Sequence, residues 1–165
     1  MFVTLRTASA RSRAKTLLVL TIAMASIAAV GVAMATPGEG TVGTPLSRGA
    51  NADEVKIHTD EIKFKTRGPT DIAVVTQTWQ PGGHSGWHTH SGLVLFTLKS
   101  GTISVFDRNC TERVLSAGQA FVEPVNEPME VKNYSTVPAV AYFAIVLAPG
   151  AAGRDDAPNP GCDIP

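Results

Sequence analysis

The sequence has few of the residues on which disulfide-rich mini-proteins and nucleic-acid-binding proteins depend. Its 165 residues include only 2 cysteines, too few for a disulfide-dense mini-protein. Lys and Arg number 14 against 14 Asp and Glu, so the basic excess of a nucleic-acid-binding surface is missing. Charged residues make up 17% and apolar residues 44%, a composition that excludes broad disorder. The sequence also shows no Gly-rich phosphate loop, no Gly-x-Ser-x-Gly motif and no cysteine nucleophile with a partner histidine.

The first 35 residues contain the three parts of a secretory signal. Four basic residues and no acidic residue precede Thr16, an uncharged apolar run follows to Val32, and Ala33-Met34-Ala35 fits a small-x-small cleavage site. We therefore predict a signal-peptide helix over 1–35 with cleavage after Ala35, which leaves an exported chain with more acidic than basic residues. The alternative is an uncleaved membrane anchor, although the run is at the lower limit for a bilayer span. Both alternatives place the residues after 35 outside the cytoplasm.

The exported part shows the short, turn-separated apolar runs that are typical of an all-β protein. Residues 36–50 have no usable period and are predicted to form a flexible linker. Strand-like segments then alternate with turns, and no segment of useful length has a helical period. The clearest strands are predicted over 71–79, 93–98, 102–106 and 137–147. This pattern predicts one β-barrel or β-sandwich domain over 51–148, followed by an irregular tail over 149–165.

Both cysteines, Cys110 and Cys162, lie in the part predicted to be exported. An even pair of cysteines in an oxidising compartment predicts a disulfide, and two free thiols are the alternative. The bond would attach the tail near Cys162 to the body near Cys110. In the chain-entropy model a loop of that length stabilises the fold by about 4 kcal/mol.

A cluster of three histidines, His84, His88 and His90, is the clearest candidate for a functional site. Side chains on a strand alternate between faces, so His88 and His90 are predicted to project from the same face, roughly 7 Å apart along the strand. Two neutral imidazoles in that arrangement can occupy two positions of a divalent-metal site, whose metal the sequence does not identify.

The residues around these histidines resemble the two sequence motifs of the cupin family. The first motif is similar to Gly82, five residues, His88-Thr89-His90, ten residues and Gly101. The second motif is similar to the spacing of Gly118, Pro124, Asn126, Met129 and Asn133. The resemblance covers about residues 70–148 and implies a jelly-roll variant, the double-stranded β-helix barrel. It also implies one divalent metal held by two His and one Glu of the first motif and one His of the second.

Two of the ligands that the resemblance implies are missing from this chain. The Glu of the first motif falls on Val94, and the His of the second motif falls on Met129. Only His88 and His90 carry over as ligands. Asn126 replaces a turn glycine, and asparagine is a residue that can also adopt a positive φ.

Two other residues are candidates to complete a metal site with His88 and His90. His84 lies in a Gly-rich turn that could fold it inward, and Glu123 could reach the barrel interior from the strand before Pro124. The alternatives are a solvated loop residue for His84 and an exposed strand-end charge for Glu123. The candidate ligand-pocket residues are Trp87, Val94, Met129 and Asn133.

Two classes of function stay open at this point. The first is an exported barrel that binds a small-molecule ligand without catalysis, with the histidines as polar anchors or as a reduced metal site. The second, implied by the resemblance, is a metal-dependent enzyme of oxygenase or isomerase type, for which no catalytic residue can be named. A homodimer is implied by the resemblance alone, nucleic acid is not expected as a partner, and membrane contact is expected only if the leader is uncleaved.

Overall fold

β-Strands make up the regular secondary structure of the residues that the structure describes. The computed structural model describes residues 35–165, so the signal-peptide helix predicted ahead of the cleavage site lies outside them. In that range no helix is long and apolar enough to span a membrane. The strands, in chain order, are β1 (Glu39–Asn51), β2 (Lys56–His58), β3 (Lys63–Lys65), β4 (Thr70–His84), β5 (His88–Thr89), β6 (Leu93–Ser100), β7 (Thr102–Phe106), β8 (Glu112–Ser116), β9 (Ala120–Glu123), β10 (Glu130–Lys132), β11 (Ala139–Leu147) and β12 (Asp155–Asp156).

An 8-stranded antiparallel sheet forms the body of the protein. Its order is β8-β7-β10-β4-β11-β6-β9, and β1 also pairs with β4. Two small ribbons, β12-β5 and β2-β3, lie outside that path. The order is far from the order in the sequence, as expected of a jelly roll, in which long connections bring distant strands together. The prediction of an all-β jelly-roll barrel is confirmed, and β4 is its most extensively paired strand.

Alternation of buried and exposed side chains explains why the central segments form strands. In β6, Val94, Phe96 and Leu98 are at most 2% exposed, whereas the residues between them face solvent. Successive side chains of a strand point to opposite faces, so this period of two places one apolar row inside the barrel. β11 follows the same pattern, with Ala141 and Leu147 buried.

The core lies on the inner face of the large sheet. Its main cluster of buried residues consists of Trp79, Phe96, Leu98, Ile103, Val105, Leu115, Met129, Val131, Ala139 and Ala141. A second cluster of Ala73, Val94, Ile145 and Leu147 shares the partly buried Phe143 with the first. The two clusters together form the apolar interior against which the polar residues described below are set.

The segment predicted to be a flexible linker over 36–50 is instead mostly a strand. β1 runs from Glu39 to Asn51 and pairs with β4 through eleven Cα partners, with two register shifts. Nearly all of its side chains are exposed. Its pairing therefore rests on backbone hydrogen bonds, which leave no apolar period in the sequence.

The tail predicted to be irregular over 149–165 folds back across the histidine segment. Its short strand β12 pairs with β5, and the N–H of Ala157 donates to the carbonyl of Trp87 at 2.9 Å. The predicted disulfide between Cys110 and Cys162 is present. Cys162 is buried in a third cluster with Trp87 and Phe106. The disulfide and this packing hold the tail against the barrel.

A buried aspartate joins the tail end of β11 to β1 and β4. Asp71 Oδ2 accepts hydrogen bonds from the N–H of Gly150 at 2.9 Å and from Arg48 at 2.7 and 2.9 Å. These donors stabilise the charged form, so Gly150 first and Arg48 next hold the pKa of Asp71 below its ordinary value. Arg48 also donates to the carbonyl of Ala151.

Candidate metal centre

The two histidines of the His-x-His segment meet in the barrel interior, as the alternation of a strand predicts. His88 and His90 are 4% and 6% exposed, and their ring centroids are 4.9 Å apart with the ring planes nearly perpendicular. β5 begins at His88, whose backbone forms two hydrogen bonds with Met129. The carbonyl of His90 accepts from the N–H of Asn126. The backbone on both sides of the pair is therefore held in place.

Backbone carbonyls select the tautomers of both rings. Nδ1 of His88 lies 2.8 Å from the carbonyl oxygen of Gly86, and Nδ1 of His90 lies 2.6 Å from that of Gly153. A carbonyl oxygen only accepts, so each Nδ1 must carry the proton. In a neutral ring Nε2 is then the free lone pair, which is the arrangement found when histidine binds a metal through Nε2.

Position 86, whose carbonyl accepts the hydrogen bond of the His88 ring, requires glycine. Gly86 has a φ of 66°, a conformation that side-chain-bearing residues rarely adopt. A Cβ on Gly86 would also overlap the carbonyl of Thr36. The tight turn before β5 therefore depends on glycine and directs the Gly86 carbonyl at the His88 ring.

The third polar residue of the site is Glu123, at the end of β9. Its side chain is buried, and its Oε2 lies 2.8 Å from Nε2 of His90. In the register of β6 and β9, Glu123 is directly opposite Val94. Directly opposite residues of an antiparallel pair project from the same face. Glu123 therefore presents a carboxylate beside the position where the resemblance implied one.

The atoms of this group face one another without completing hydrogen bonds. Among the described residues, His90 Nε2 and Glu123 Oε2 are buried atoms with no hydrogen-bond partner, although they stand at ion-pair distance. The possible ligand atoms of His88, His90 and Glu123 all lie within 4.8 Å of one another. Buried polar atoms normally have hydrogen-bond partners, so two adjacent unsatisfied atoms require an explanation. A cation among them would satisfy both, and two imidazoles with one carboxylate suit a divalent transition metal.

The electrostatics differ between the two histidines. Burial lowers the pKa of His88 to about 3, aided by the charges of His90 and Arg154 and opposed by the Gly86 carbonyl. Burial also acts to lower the pKa of His90, but the neighbouring Glu123 carboxylate and the Gly153 carbonyl outweigh it and raise that pKa. The His88 ring is thus neutral at physiological pH. On the side that faces Glu123, Nε2 of His90 can bind either a proton or a metal ion.

His84, the other residue considered as a third ligand, does not join this group. Its Nδ1 lies 3.2 Å from Glu130 Oε1 and accepts a hydrogen bond from the N–H of Gly86. It is outside the set of possible metal ligands that the described residues form. Burial raises the pKa of Glu130, partly offset by Lys132 and His84. The Gly-rich turn therefore directs His84 to Glu130 and away from the histidine pair.

The cavity beside the candidate metal centre is not lined by the four residues predicted for it. Trp87, Val94, Met129 and Asn133 are each at most 1% exposed and lie in the packed interior instead. Trp87 packs on the disulfide, and Met129 belongs to the main core cluster. The side-chain amide of Asn133 donates to the carbonyls of Trp79 and Val137. These residues support the walls of the barrel and do not form the surface of the cavity.

The cavity that adjoins the site has a volume of about 480 Å³. Its lining residues are Gly38, Thr41, Gly43, Val75, Gln77, Trp79, Ser85, His88, His90, Glu123, Val131, Phe143, Ile145, Gly153 and Arg154. Sequence reasoning named three of these, the two histidines and Glu123. It missed Gly153 and Arg154, which come from the tail. The only signal for them was Cys162, because a disulfide to Cys110 requires the tail to return to the barrel.

The known protein family that this chain matches is the one its motifs resemble. The family model described as "Cupin domain" matches residues 75–146, from β4 to β11 and including the whole candidate metal centre. Residues 75–146 of this chain are a cupin domain. No curated protein sequence matches it.

Several solved structures are similar to this chain at low sequence identity. A cupin domain from Bordetella pertussis Tohama I has 19% identity and a TM-score of 0.47, over 70% of this chain and 99% of that one. An uncharacterised conserved protein with a double-stranded β-helix domain from Klebsiella pneumoniae has 22% identity and a TM-score of 0.46, over 65% and 86%. A predicted oxalate decarboxylase from Thermotoga maritima has 17% identity and a TM-score of 0.42, over 48% and 82%.

Relative to the cupin motifs, this cupin has its carboxylate on a different strand. Val94 occupies the position of the motif glutamate and is fully buried, while Glu123 stands opposite it on β9. Asn126 has a φ of 57°, as expected for a residue that replaces a turn glycine. Its N–H bonds to the carbonyl of His90, so the turn that follows Glu123 is fastened to the histidine segment.

Proposed function

We propose that this protein is a cupin that holds one divalent metal ion on His88, His90 and Glu123 and binds a small molecule against it in the adjoining cavity. The observation that carries the proposal is the pair of unpartnered buried atoms, His90 Nε2 and Glu123 Oε2, next to the ring of His88. The carboxylate missing from the first cupin motif is supplied from the opposite strand.

A metal explains this arrangement better than an isolated ion pair. Burying a carboxylate and an imidazolium costs several kcal/mol per ion, which good geometry and further hydrogen bonds must offset. Here the two atoms lie 2.8 Å apart, and further hydrogen bonds to either atom are missing. Both Nδ1 atoms are already bound to carbonyl oxygens, which is how proteins orient histidines toward a metal.

The residues also leave room for a ligand. Three protein ligands leave coordination positions open on a divalent metal, as in catalytic sites and unlike closed structural ones. His88, His90 and Glu123 all line the cavity, so a metal held by them would adjoin it, and the volume of the cavity is in the range of small-molecule sites. When bound, the metal would supply Lewis acidity to a ligand, while the protein residues orient that ligand and exclude water.

Metal content of purified protein tests the proposal. Wild-type protein is supplemented in turn with Mn, Fe, Co, Ni, Cu and Zn, desalted and analysed for bound metal. We expect one ion per chain, and we expect it to be lost in His88→Gln, His90→Gln and Glu123→Gln. His84→Gln and Glu130→Gln change a histidine and a buried glutamate outside the group and serve as matched controls that keep the metal. Stoichiometric metal in Glu123→Gln, or none in the wild type, contradicts the proposal.

A second candidate function is metal-dependent catalysis of oxygenase or isomerase type. The set of two histidines and one carboxylate with open positions favours it, because non-haem iron oxygenases use such a set. Incubating the loaded protein with candidate substrates, with and without oxygen, separates this function from binding alone. Turnover that is lost in Glu123→Gln supports catalysis, and binding without turnover supports the first candidate.

We also propose that the protein acts outside the cytoplasm. The basic, apolar and small-x-small parts of the leader support export, and so does the Cys110–Cys162 disulfide, since such bonds persist in oxidising compartments. Fractionation of cells that make the full chain, with the mature N-terminus determined by mass spectrometry, tests this proposal. A cytoplasmic protein that starts at Met1 would refute it.

A further inference from the structure

We infer that the cavity takes a small organic carboxylate and that Arg154, on the C-terminal tail, binds its charged group. This inference rests on the proposed function, because it names the class of small molecule that the cavity of the metal centre binds. Its evidence is separate, since it comes from a residue outside the metal ligands.

Arg154 is brought to the cavity by the backbone of the tail. It precedes β12, which pairs with β5 at Thr89 and His88. One Nη2 hydrogen of Arg154 donates to the carbonyl of Ser85 at 2.6 Å, and Nη1 lies 2.7 Å from Asp156 Oδ1. A guanidinium has five N–H donors, so these two contacts leave others for a ligand. The side chain is 37% exposed, which places it at the cavity mouth.

The charges around the cavity favour an anion. Of the described residues that line it, Glu123 is the only acid and Arg154 the only permanently charged base. A divalent ion on Glu123 leaves that end of the cavity with a net positive charge. Arg154 adds a cation to the lining, and the half-exposed Asp156, which offsets part of its charge, is not among the lining residues. A cavity lined by one sign of charge attracts ligands of the opposite sign. Carboxylates match the planar fork of arginine, which binds them through two parallel hydrogen bonds.

The rest of the lining favours an organic rather than an inorganic anion. Val75, Val131, Phe143 and Ile145 form apolar walls, together with the ring of Trp79. Cavities of this volume, mostly apolar with a few placed polar groups, are typical of sites for small organic ligands. An organic carboxylate fits both parts of the cavity, because its charged group can bind Arg154 while its apolar part contacts the apolar walls.

Two pairs of probes test the inference: benzoate against benzyl alcohol, and hexanoate against hexanol. Each is titrated into metal-loaded and metal-free protein, with tryptophan fluorescence, to which both Trp79 and Trp87 contribute, and amide chemical shifts as readouts. We expect at least one carboxylate to bind tighter than its alcohol, and Arg154→Gln to weaken that carboxylate roughly ten- to a hundredfold. The alcohols should bind Arg154→Gln as they bind the wild type. Arg154→Lys, which keeps the charge, should retain part of the preference.

Asp156→Asn provides a change of opposite sign. It removes the acid that competes for Nη1 of Arg154, so we expect carboxylate binding a few-fold tighter than in the wild type. A merely structural role of Arg154 would not produce this gain. Melting curves of the three variants confirm that each is folded.

The outcomes separate this inference from the proposed function. Equal binding of carboxylate and alcohol, no binding of either carboxylate, or unchanged benzoate and hexanoate binding in Arg154→Gln overturns the role of Arg154. Those results leave metal binding by the wild type intact. A third outcome is possible, in which the wild type binds no metal but still prefers carboxylates, and Arg154→Gln removes that preference. This outcome overturns the metal proposal and supports the proposed class of ligand.

Discussion

Moving the carboxylate back across the strand pair should restore the metal site that its removal destroys. Glu123 on β9 is directly opposite Val94 on β6, the motif position for a cupin glutamate. Glu123→Val removes the carboxylate, and adding Val94→Glu returns one to the same face of the sheet. Cβ atoms of directly opposite residues are about 4.5–5.5 Å apart, a distance that a glutamate side chain can span.

The expected size of the effect follows from ligand-linked stability. A metal at about a hundredfold its Kd stabilises the folded state by about 2.7 kcal/mol, which raises the Tm of a domain of this size by roughly 10 °C. Glu123 is one of three proposed ligands and is 3% exposed, so water cannot easily replace it. A hundredfold loss of affinity in Glu123→Val would reduce the shift to about 2 °C.

Thermal unfolding with and without the metal identified for the wild type measures these shifts. We expect the double variant to recover most of the wild-type shift. Val94→Glu alone places two carboxylates side by side in the core, so its metal-free Tm should fall below that of the wild type. Glu130→Val removes a buried glutamate outside the site and should keep the full shift.

Three results would refute this reasoning. A full metal shift in Glu123→Val would show that the carboxylate is not a ligand. A double variant that folds but shows no more metal shift than Glu123→Val would show that positions 94 and 123 do not serve the same metal. A shift that survives His88→Gln together with His90→Gln would place the metal elsewhere.

Three further predictions concern stability. Hydrogen bonds hold the pKa of Asp71 below its ordinary value of 3.8. The stability that Asp71 contributes is therefore fully present above pH 3.8 and is lost as the pH falls through the folded-state pKa. Asp71→Asn should have a lower Tm than the wild type near neutral pH, and a difference in Tm that persists in strong acid would contradict this. Replacing Cys110 and Cys162, which are 52 residues apart, with serine should cost about 4 kcal/mol in denaturant unfolding and should weaken metal retention, and full retention would contradict the role given to the tail. Leu115→Ala, at a fully buried position, should cost roughly 2–5 kcal/mol in urea unfolding, and a cost near zero would mean that the main core cluster is not packed as described.

The strands of the barrel could be predicted where one face is buried. Val94, Phe96 and Leu98 in β6 alternate with exposed residues, so their period is visible in the sequence. β1 could not be predicted in this way, because its side chains are mostly exposed and it is held to β4 by backbone hydrogen bonds and polar side-chain contacts such as Arg48 with Asp71. A strand held by polar contacts leaves no hydrophobic pattern to detect.

The candidate metal centre was predictable only in part for a related reason. The parity of His88 and His90 depends on local strand geometry, and the sequence contains it. Whether His84 or Glu123 joins the pair depends on two features. The register of β9 against β6 is a long-range contact, and the turn at Gly86 is fixed by steric contact with Thr36, so neither can be inferred from local sequence. His84 is nearer in sequence but points to Glu130, whereas Glu123 is distant in sequence and reaches the site.

The residues of the tail were beyond prediction because their contacts are made by the backbone. Gly153 acts on His90 through its carbonyl, which every residue type possesses. The sequence of a Gly- and Pro-rich segment therefore does not reveal which of its carbonyls orients a ring. From the sequence alone, Arg154 cannot be distinguished from a solvated surface cation, because only the pairing of β12 with β5 places it at the cavity.

The contact between Gly153 and His90 has a consequence for the order in which the protein matures. The ribosome produces residues 88–123 well before residue 153, so a nascent chain contains the three proposed ligands while the His90 imidazole still lacks the Gly153 carbonyl that orients it. The proposed centre is complete only after the tail has been synthesised, has paired with β5 and has been attached by the Cys110–Cys162 disulfide. Metal bound before that moment would have one ligand that is not yet oriented, so we expect tight retention only in protein whose disulfide has formed.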